Sequence, residues 1–167
     1  MEPLLFAMFF GATVFAAPVL AQTPEPAAEV QLGEITITGA FIRATMPRAP
    51  VGAAYVTMTN TGAQDDRLLS VTAPFGETVM LHDMVNHDGI IAMHPLPRGL
   101  PIPAGESVSL TPGGKHMMIT GLTERLEKGQ AVDLTLMFEL AGEVTLRFDV
   151  LALNARRHPG VGNAGEN

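Results

Sequence analysis

The sequence predicts one all-β domain, a Greek-key sandwich or barrel, and three observations favour that fold. Apolar and polar residues alternate with period 2 in many short segments, Gly- and Pro-containing turns separate these segments, and none keeps a 3.6-residue apolar period with helix caps. The 167 residues suffice for one domain with a hydrophobic core and are marginal for two. Hydrophobic residues make up 47% and charged residues 16%, so the chain is not of the disordered class.

Residues 1–21 are predicted to be an export signal that is removed from the mature protein. The apolar run PLLFAMFFGATVFAA is too short to span a bilayer comfortably, and small residues at Val19 and Ala21 match a signal-peptidase site. Glu2 is the only early charge, whereas signal peptides usually begin with Lys or Arg, so a retained membrane anchor stays open as the alternative. The main expectation is an exported protein with no membrane span after cleavage.

The folded domain is predicted over 31–153, between two polar segments. The linker over 22–30 is rich in Pro, Ala and Glu and has little to contribute to a core. Residues 154–167 are polar and Gly-rich, which is typical of a flexible tail. No internal repeat and no block of like charge divides the domain.

Nine short strands are predicted within this domain. The two clearest form an antiparallel hairpin over 131–140 and 143–150, in which apolar residues alternate and an Ala-Gly pair makes the turn. Turn sequences such as Asp88-Gly89 separate the earlier segments. The other seven predicted strands cover 33–38, 52–59, 67–72, 77–84, 89–94, 106–110 and 115–120.

The composition excludes several classes of function. The chain has no cysteine, so it can form no disulfide, zinc–thiolate site, catalytic thiol or blue-copper centre. With 10 Lys and Arg against 17 Asp and Glu, and no basic run, it is not expected to bind nucleic acid. No nucleophile–base pair or paired-carboxylate site is visible, so the chain is not predicted to be an enzyme. The unusual feature is the content of 10 methionines.

Histidine and methionine residues share strand faces in the middle of the domain. Strand alternation puts His116 and Met118 on the same face of their strand, so the H-x-M spacing places an imidazole and a thioether side by side. His82 lies on an earlier strand, and Met93 lies on the segment between the two. If the three segments meet at one end of the sandwich, these four side chains converge.

Such a donor set would suit Cu(I). Thioethers are soft ligands that select Cu(I), imidazole binds Cu(I), Cu(II) and Zn²⁺, and neither donor carries a charge. Zinc would usually recruit a carboxylate or a thiolate, and calcium and magnesium require oxygen ligands. A site without thiolate should also exchange its ion quickly, as a carrier must.

The alternative is an exported β-sandwich that binds another protein without a metal. Methionine is a common core residue, and Met58, Met80 and Met137 are expected to fill the core or lie on the surface. A histidine on a strand is more often hydrogen-bonded or exposed than a ligand. On the residues alone, both interpretations stay open.

Nearly the whole predicted domain resembles the PCu(A)C family of periplasmic copper chaperones. The signature of that family is a His or Met, ten residues, a Met, about twenty-one residues and then H-x-M. Here ten residues separate His82 from Met93, and twenty-two separate Met93 from His116. The phrases MLHDM, DGIIAM, IPAGESVSL and PGGKHMMITGL also fit. The one extra residue is expected in the Pro/Gly loop over 96–100, and His94 would replace Met93 if the register changed.

The resemblance implies a cupredoxin-like β-barrel that carries Cu(I) and does not transfer electrons. It implies that His82, Met93, His116 and Met118 bind the copper, near the barrel surface as transfer requires. It also implies a periplasmic protein that serves cytochrome c oxidase assembly, with an oxidase subunit or another assembly chaperone as the copper-accepting partner. The carrier is expected to be a monomer.

Four further residues are candidates for a second copper position, for Cu(II) or for an ion in transfer: Met84, His87, His94 and His158. Met84 is two residues past His82 and therefore on the same strand face. The alternative is that all four are solvated loop or tail residues that lie near the predicted site by chance.

Overall fold

The computed structural model describes residues 29–160, so the predicted signal segment, most of the linker and residues 161–167 lie outside the described residues. Residues 29–160 form eleven strands and no helix, which confirms the all-β class, and no helix there is long and apolar enough to cross a membrane. The strands are β1 (Val30–Leu32), β2 (Ile35–Arg43), β3 (Val51–Asn60), β4 (Asp66–Thr72), β5 (Thr78–His87), β6 (Ile90–Pro95), β7 (Leu100–Ile102), β8 (Ser107–Ser109), β9 (His116–Thr120), β10 (Ala131–Phe138) and β11 (Glu143–Leu151).

All described strands belong to one mixed sheet. The order is β6-β5-β9-β3-β2-β11-β10-β4-β7, with β1 also paired to β2 and β8 also paired to β3. Every pairing is antiparallel except that of β11 with β2, where Val150 lies opposite Ile42. The predicted C-terminal hairpin forms β10 and β11, with Leu134 opposite Leu146.

The nine predicted strands are all present, with different boundaries. The predicted strand over 131–140 ends at Phe138, where its register against β4 shifts by a β-bulge or irregularity. Two strands, β1 and β7, were not predicted: β1 begins within the predicted linker, and β7 begins at the end of the Pro/Gly loop over 96–100 and has Pro101, a residue that argues against a strand, at its centre.

Alternation along the strands builds the core. On β10 and β11, Leu134, Leu136, Leu146 and Phe148 point inward and are at most 5% exposed. Burial of each such side chain stabilises the fold by about 1.5–3 kcal/mol. The intervening residues of these strands are half-buried or exposed, as expected for a sheet with one face on the core.

The same alternation decides which faces of β5 and β9 are available for a site. Leu81 on β5 and both Met117 and Ile119 on β9 belong to the core. Because successive side chains of a strand point to opposite faces, the residues between them point away from the core. His82 and His116 are among these outward-facing residues.

A two-residue turn fixes the register of the β5–β6 hairpin. Asp88 and Gly89 both have positive φ, 51° and 87°. Positive φ at both central residues is the requirement of a type I′ turn, whose twist matches that of the flanking strands. The Gly89 N–H also donates to Asn86 Oδ1 at 2.9 Å. This turn sets the pairing in which Met84 lies opposite Met93.

The start of the predicted tail contacts the domain. Arg43 Nε donates to the carbonyl oxygen of Ala155 at 2.8 Å. The buried His158 ring lies with Nε2 2.9 Å from Asp149 Oδ2, and its Nδ1 accepts the N–H of Gly160 at 3.1 Å. Because Nδ1 acts as an acceptor, Nε2 carries the proton that is donated to the carboxylate.

Candidate metal centre

Two imidazoles lie side by side on the outward face of β5 and β9. His82 and His116 are directly opposite each other in the antiparallel ladder. Their ring centroids are 5.7 Å apart and their planes are inclined by 47°. Although both side chains point away from the core, they are only 6% and 8% exposed. The pairing therefore places two covered imidazoles side by side on one face of the sheet.

The turn before β9 orients the His116 ring. Its Nδ1 lies 3.0 Å from the carbonyl oxygen of Gly114, and a carbonyl oxygen only accepts, so Nδ1 carries the hydrogen. The turn is held by the Gly114 N–H, which donates to Thr111 O at 3.0 Å, and by Gly113 with φ 90°. Nε2 is thereby left as the nitrogen with the free lone pair, the arrangement in which a backbone carbonyl holds a metal-binding histidine.

The His82 ring has a buried nitrogen that lacks a hydrogen-bond partner. Within residues 29–160 its Nδ1 is the one buried side-chain nitrogen or oxygen without such a partner. An unsatisfied buried polar atom costs about 1–3 kcal/mol, and a bound cation would remove that cost. Burial, followed by the nearby His116, lowers the pKa of His82 below its ordinary value of 6.5. A lowered pKa keeps this ring neutral, which is the form that binds a metal.

Acid is expected to destabilise the copper-free protein through His82. In the unfolded chain this ring takes up a proton near pH 6.5, whereas in the folded protein it does so only at lower pH. The unfolded state therefore binds more protons below that pH, so the free energy of unfolding falls as the pH falls through 6.5 and levels off below the pKa of the folded protein. His82→Gln should reduce this slope in thermal unfolding across the same pH range, and equal slopes for variant and parent would refute the assignment.

The predicted thioether ligands flank the histidine pair. On β9, Met118 follows His116 by two residues and shares its face, about 6.6 Å further along the strand. On β6, Met93 lies opposite Met84, which shares the face of His82. Met93 is 48% exposed, whereas Met118 is half-buried. The structure thus places the four predicted ligands on one face of three adjacent strands.

The other histidines do not lie on this face. His94 is opposite Asp83, and alternation directs it to the face away from Met93. His87, near the hairpin tip, is exposed and lies on the same face of β5 as Asp83. His158 is bound to a carboxylate of β11. His94 could replace Met93 only after a one-residue shift of β6, which the Asp-Gly turn opposes.

The sequence left open whether Met80 lies in the core or on the surface. It is 38% exposed and lies directly opposite Met118, while Met58 is fully buried in the core as expected. The signal was present in the alternation of MLHDM against H-x-M, because pairing the two histidines necessarily pairs Met80 with Met118. The placement of Met80 beside Met118 could be inferred only with the register between β5 and β9, two strands that are distant in sequence.

The donors available in the described residues favour a site completed by sulfur. Among residues 29–160, no three His, Cys, Asp or Glu side chains come together in a way that could hold a metal ion. A cleft of about 620 Å³ elsewhere is lined by Glu34, Asn60 and Asp66 but by no residue of β5, β6 or β9. The Asp66 carboxylate there accepts backbone N–H groups of Arg67, Leu140 and Ala141, so it is engaged in holding loops.

Comparison with known proteins assigns the family. The profile of the LpqE-like family, whose description names a lipoprotein, matches residues 35–150. The chain belongs to the LpqE-like family. This LpqE-like chain is also 32% identical over 121 residues to Lxx21020 of Leifsonia xyli subsp. xyli, which has a lipoprotein description as well. The match covers 72% of this chain and 69% of that protein.

Solved structures similar to this LpqE-like chain are PCuAC domains. The copper-bound PCuAC domain from PmoF2 has a TM-score of 0.63 and 26% identity, and the match covers 75% of this chain and 98% of that one. The Cu(I) form of DR1885 from Deinococcus radiodurans has a TM-score of 0.58 and 26% identity, with 83% and 85% covered. These matches confirm the predicted cupredoxin-like β-sandwich and broadly support the PCu(A)C resemblance.

Proposed function

We propose that this LpqE-like protein is a copper carrier that binds Cu(I) through His82, Met93, His116 and Met118 and passes it to a copper-accepting protein. The observation that carries the proposal is the pair of opposed, buried imidazoles, one with an unpartnered nitrogen and the other oriented by a backbone carbonyl. Copper in the related PmoF2 domain and Cu(I) in DR1885 support the same conclusion.

The donor chemistry favours Cu(I) over a divalent ion. Imidazole and thioether are neutral, so a monovalent soft ion leaves little charge to be compensated in a half-buried position. On the outward faces of β5, β6 and β9, the residues are apolar, hydroxyl, amide, imidazole or thioether, with no carboxylate. The nearest ion pair, Lys115 with Asp83 at 3.4 Å, involves residues that alternate to the other face.

Exposure of the donors gives an order for release. Met93 lies on β6, at one end of the described sheet, and is 48% exposed, so an incoming ligand reaches its sulfur first. Met118 is half-buried, and the two imidazoles are almost fully covered. A partner would therefore displace a thioether before an imidazole, and each exchange of neutral ligands leaves the ion as Cu(I).

The setting of this carrier is proposed to be the periplasm, with a role in cytochrome c oxidase assembly and without catalysis. Membership of a family described as lipoprotein indicates export. The 167 residues contain no cysteine, so no lipid can be attached to a thiol within them. A cysteine-free site also suits an oxidising compartment, where thiols would pair or oxidise. The carrier is proposed to act as a monomer, with an oxidase subunit or another assembly chaperone as recipient.

Competition titration tests the carrier function. The purified protein should take one tightly held Cu(I) per chain from a coloured Cu(I) chelator and should bind little Zn(II). Met118→Leu is expected to weaken Cu(I) binding about tenfold or more, since even outer partners of metal ligands contribute about 10–100-fold. Met137→Leu is the matched control, because Met137 is a half-buried methionine on β10. Equal affinity of the Met118 variant and the parent would reject this ligand assignment.

A metal-free interaction module is the second candidate. It is favoured by Ile90 and Ile91, which are 74% and 64% exposed at the β5–β6 hairpin beside Met93. Exposed apolar residues grouped in this way are typical of surfaces that bind other proteins. In that case the protein would take no Cu(I) from the chelator above background.

A further inference from the structure

Met84 lies next to two of the proposed ligands, His82 and Met93. It follows His82 by two residues on the same face of β5, and it is directly opposite Met93 on β6. A residue two positions along a strand is about 6.6 Å away, and a residue directly opposite on the paired strand is about 5 Å away. Met93 itself is diagonal to His82, since His82 lies opposite Pro95. An ion shared by His82 and Met93 therefore has the Met84 thioether beside it.

The register also separates the two proposed thioether ligands. Met93 is in the rung of Met84, and Met118 is in the rung of Met80, so the histidine rung lies between them. These outer rungs are about 13 Å apart along β5, since a strand rises about 3.3 Å per residue. Cu(I) held by both imidazoles is about 6.6 Å along the strands from each outer rung, and Met93 lies one strand further away, on β6. Met84 needs a shorter reach than Met93 to meet an ion at His82.

Packing does not account for these methionines. Eight of the ten methionines lie in the described residues, and Met58 and Met117 belong to the core. Four others, Met80, Met84, Met93 and Met118, share the outward face of β5, β6 and β9, where none of them contributes to the core. A flexible thioether on an outward face gains little from burial but is well suited to follow a soft ion.

We propose that Met84 is a copper-binding residue of this site and that Cu(I) passes between Met84 and Met93 across the β5–β6 ladder as it leaves. The proposal rests on the carrier function proposed above. In each exchange the Cu–S bond to one of these two methionines forms as the Cu–S bond to the other breaks, both ligands are neutral, and the ion stays Cu(I) throughout. The half-buried Met84 holds the ion next to His82, and the exposed Met93 presents it to a partner.

Interchangeable ligands give a distinctive result in a double-mutant cycle. Met84→Leu and Met93→Leu are each expected to lower Cu(I) affinity by about threefold or less, because the remaining thioether substitutes. The double variant should lose about 30-fold, since residues that share one partner are coupled rather than additive. Adding Met137→Leu to Met93→Leu is the matched control and should cause no further loss. Thermal unfolding of each variant checks that the fold is retained.

A second measurement follows each methionine directly. In protein labelled with ¹³C at the methionine methyl groups, one equivalent of Cu(I) should shift the resonances of both Met84 and Met93, and that of Met137 should stay in place. If Met93→Leu alone loses as much affinity as the double variant and the Met84 methyl does not shift, the inference is overturned while the carrier function stands. If the parent binds no Cu(I), the carrier function fails and the inference with it.

Discussion

His116→Ala is expected to lower the affinity for Cu(I) by about 100-fold or more while leaving the protein folded. The loss is large because the ring is already oriented by Gly114 O, so binding needs no rearrangement of this ligand. Outer partners of metal ligands contribute about 10–100-fold, and a direct imidazole ligand should reach at least the upper end of that range. Competition against a coloured Cu(I) chelator measures the change.

The same variant should stay folded although it loses some stability. His116 points away from the core, whereas its neighbours Met117 and Ile119 are fully buried. The ring is nevertheless only 8% exposed and donates to Gly114 O, so its removal should lower the free energy of unfolding by about 0.5–3 kcal/mol, out of a total that is typically about 5–15 kcal/mol. A cooperative thermal transition with a midpoint above the temperature of the titration therefore separates loss of a ligand from loss of the fold.

His94→Ala is the matched control for this prediction. It removes the same side chain from an exposed position on β6 that alternates to the other face. Its Cu(I) affinity should equal that of the parent. If His94→Ala weakened binding as much as His116→Ala, β6 would have to be shifted by one residue, and His94 would take the place of Met93. If neither variant weakened binding, the histidine pair would not be the copper site.

Strand alternation made one half of the site predictable. Because the side-chain period of a strand is fixed at two, the sequence alone placed His116 with Met118, and His82 with Met84, on shared faces. Leu81 and Met117 lie in the core, on the opposite faces of their strands, which confirms this assignment of faces. The turn through Gly113 and Gly114 was likewise recognisable from its residues.

The other half depends on contacts that are distant in sequence. No local sequence pattern indicates that β5 pairs with β9 and that His82 therefore lies opposite His116. The two strands are separated along the chain by three others. The parallel pairing of β11 with β2 is non-local in the same way. The contact of His158 with Asp149 was also not predictable, because a polar, Gly-rich segment carries no pattern that indicates where it docks.

Gly99→Ala, in the loop that joins β6 to β7, is expected to lower the free energy of unfolding strongly. Gly99 has φ 77°, which costs a residue with a Cβ about 1–3 kcal/mol. An added Cβ would also clash with the carbonyl oxygen of Leu68 and would lie 3.1 Å from Leu69 Cα. These are backbone atoms of β4 and cannot rotate away, so overpacking adds about 1–3 kcal/mol.

Gly105→Ala separates the steric contribution from the backbone strain. Gly105 has nearly the same φ, 74°, but an added Cβ there would meet no atom within 4 Å. Gly105→Ala should therefore cost only the backbone strain of about 1–3 kcal/mol, whereas Gly99→Ala should cost about 1–3 kcal/mol more than Gly105→Ala, out of a total that is typically about 5–15 kcal/mol. Denaturant unfolding of both variants measures the difference. Equal losses would mean that the 96–100 loop can move away from β4, and the loop would then no longer fix where β6, with Met93, ends.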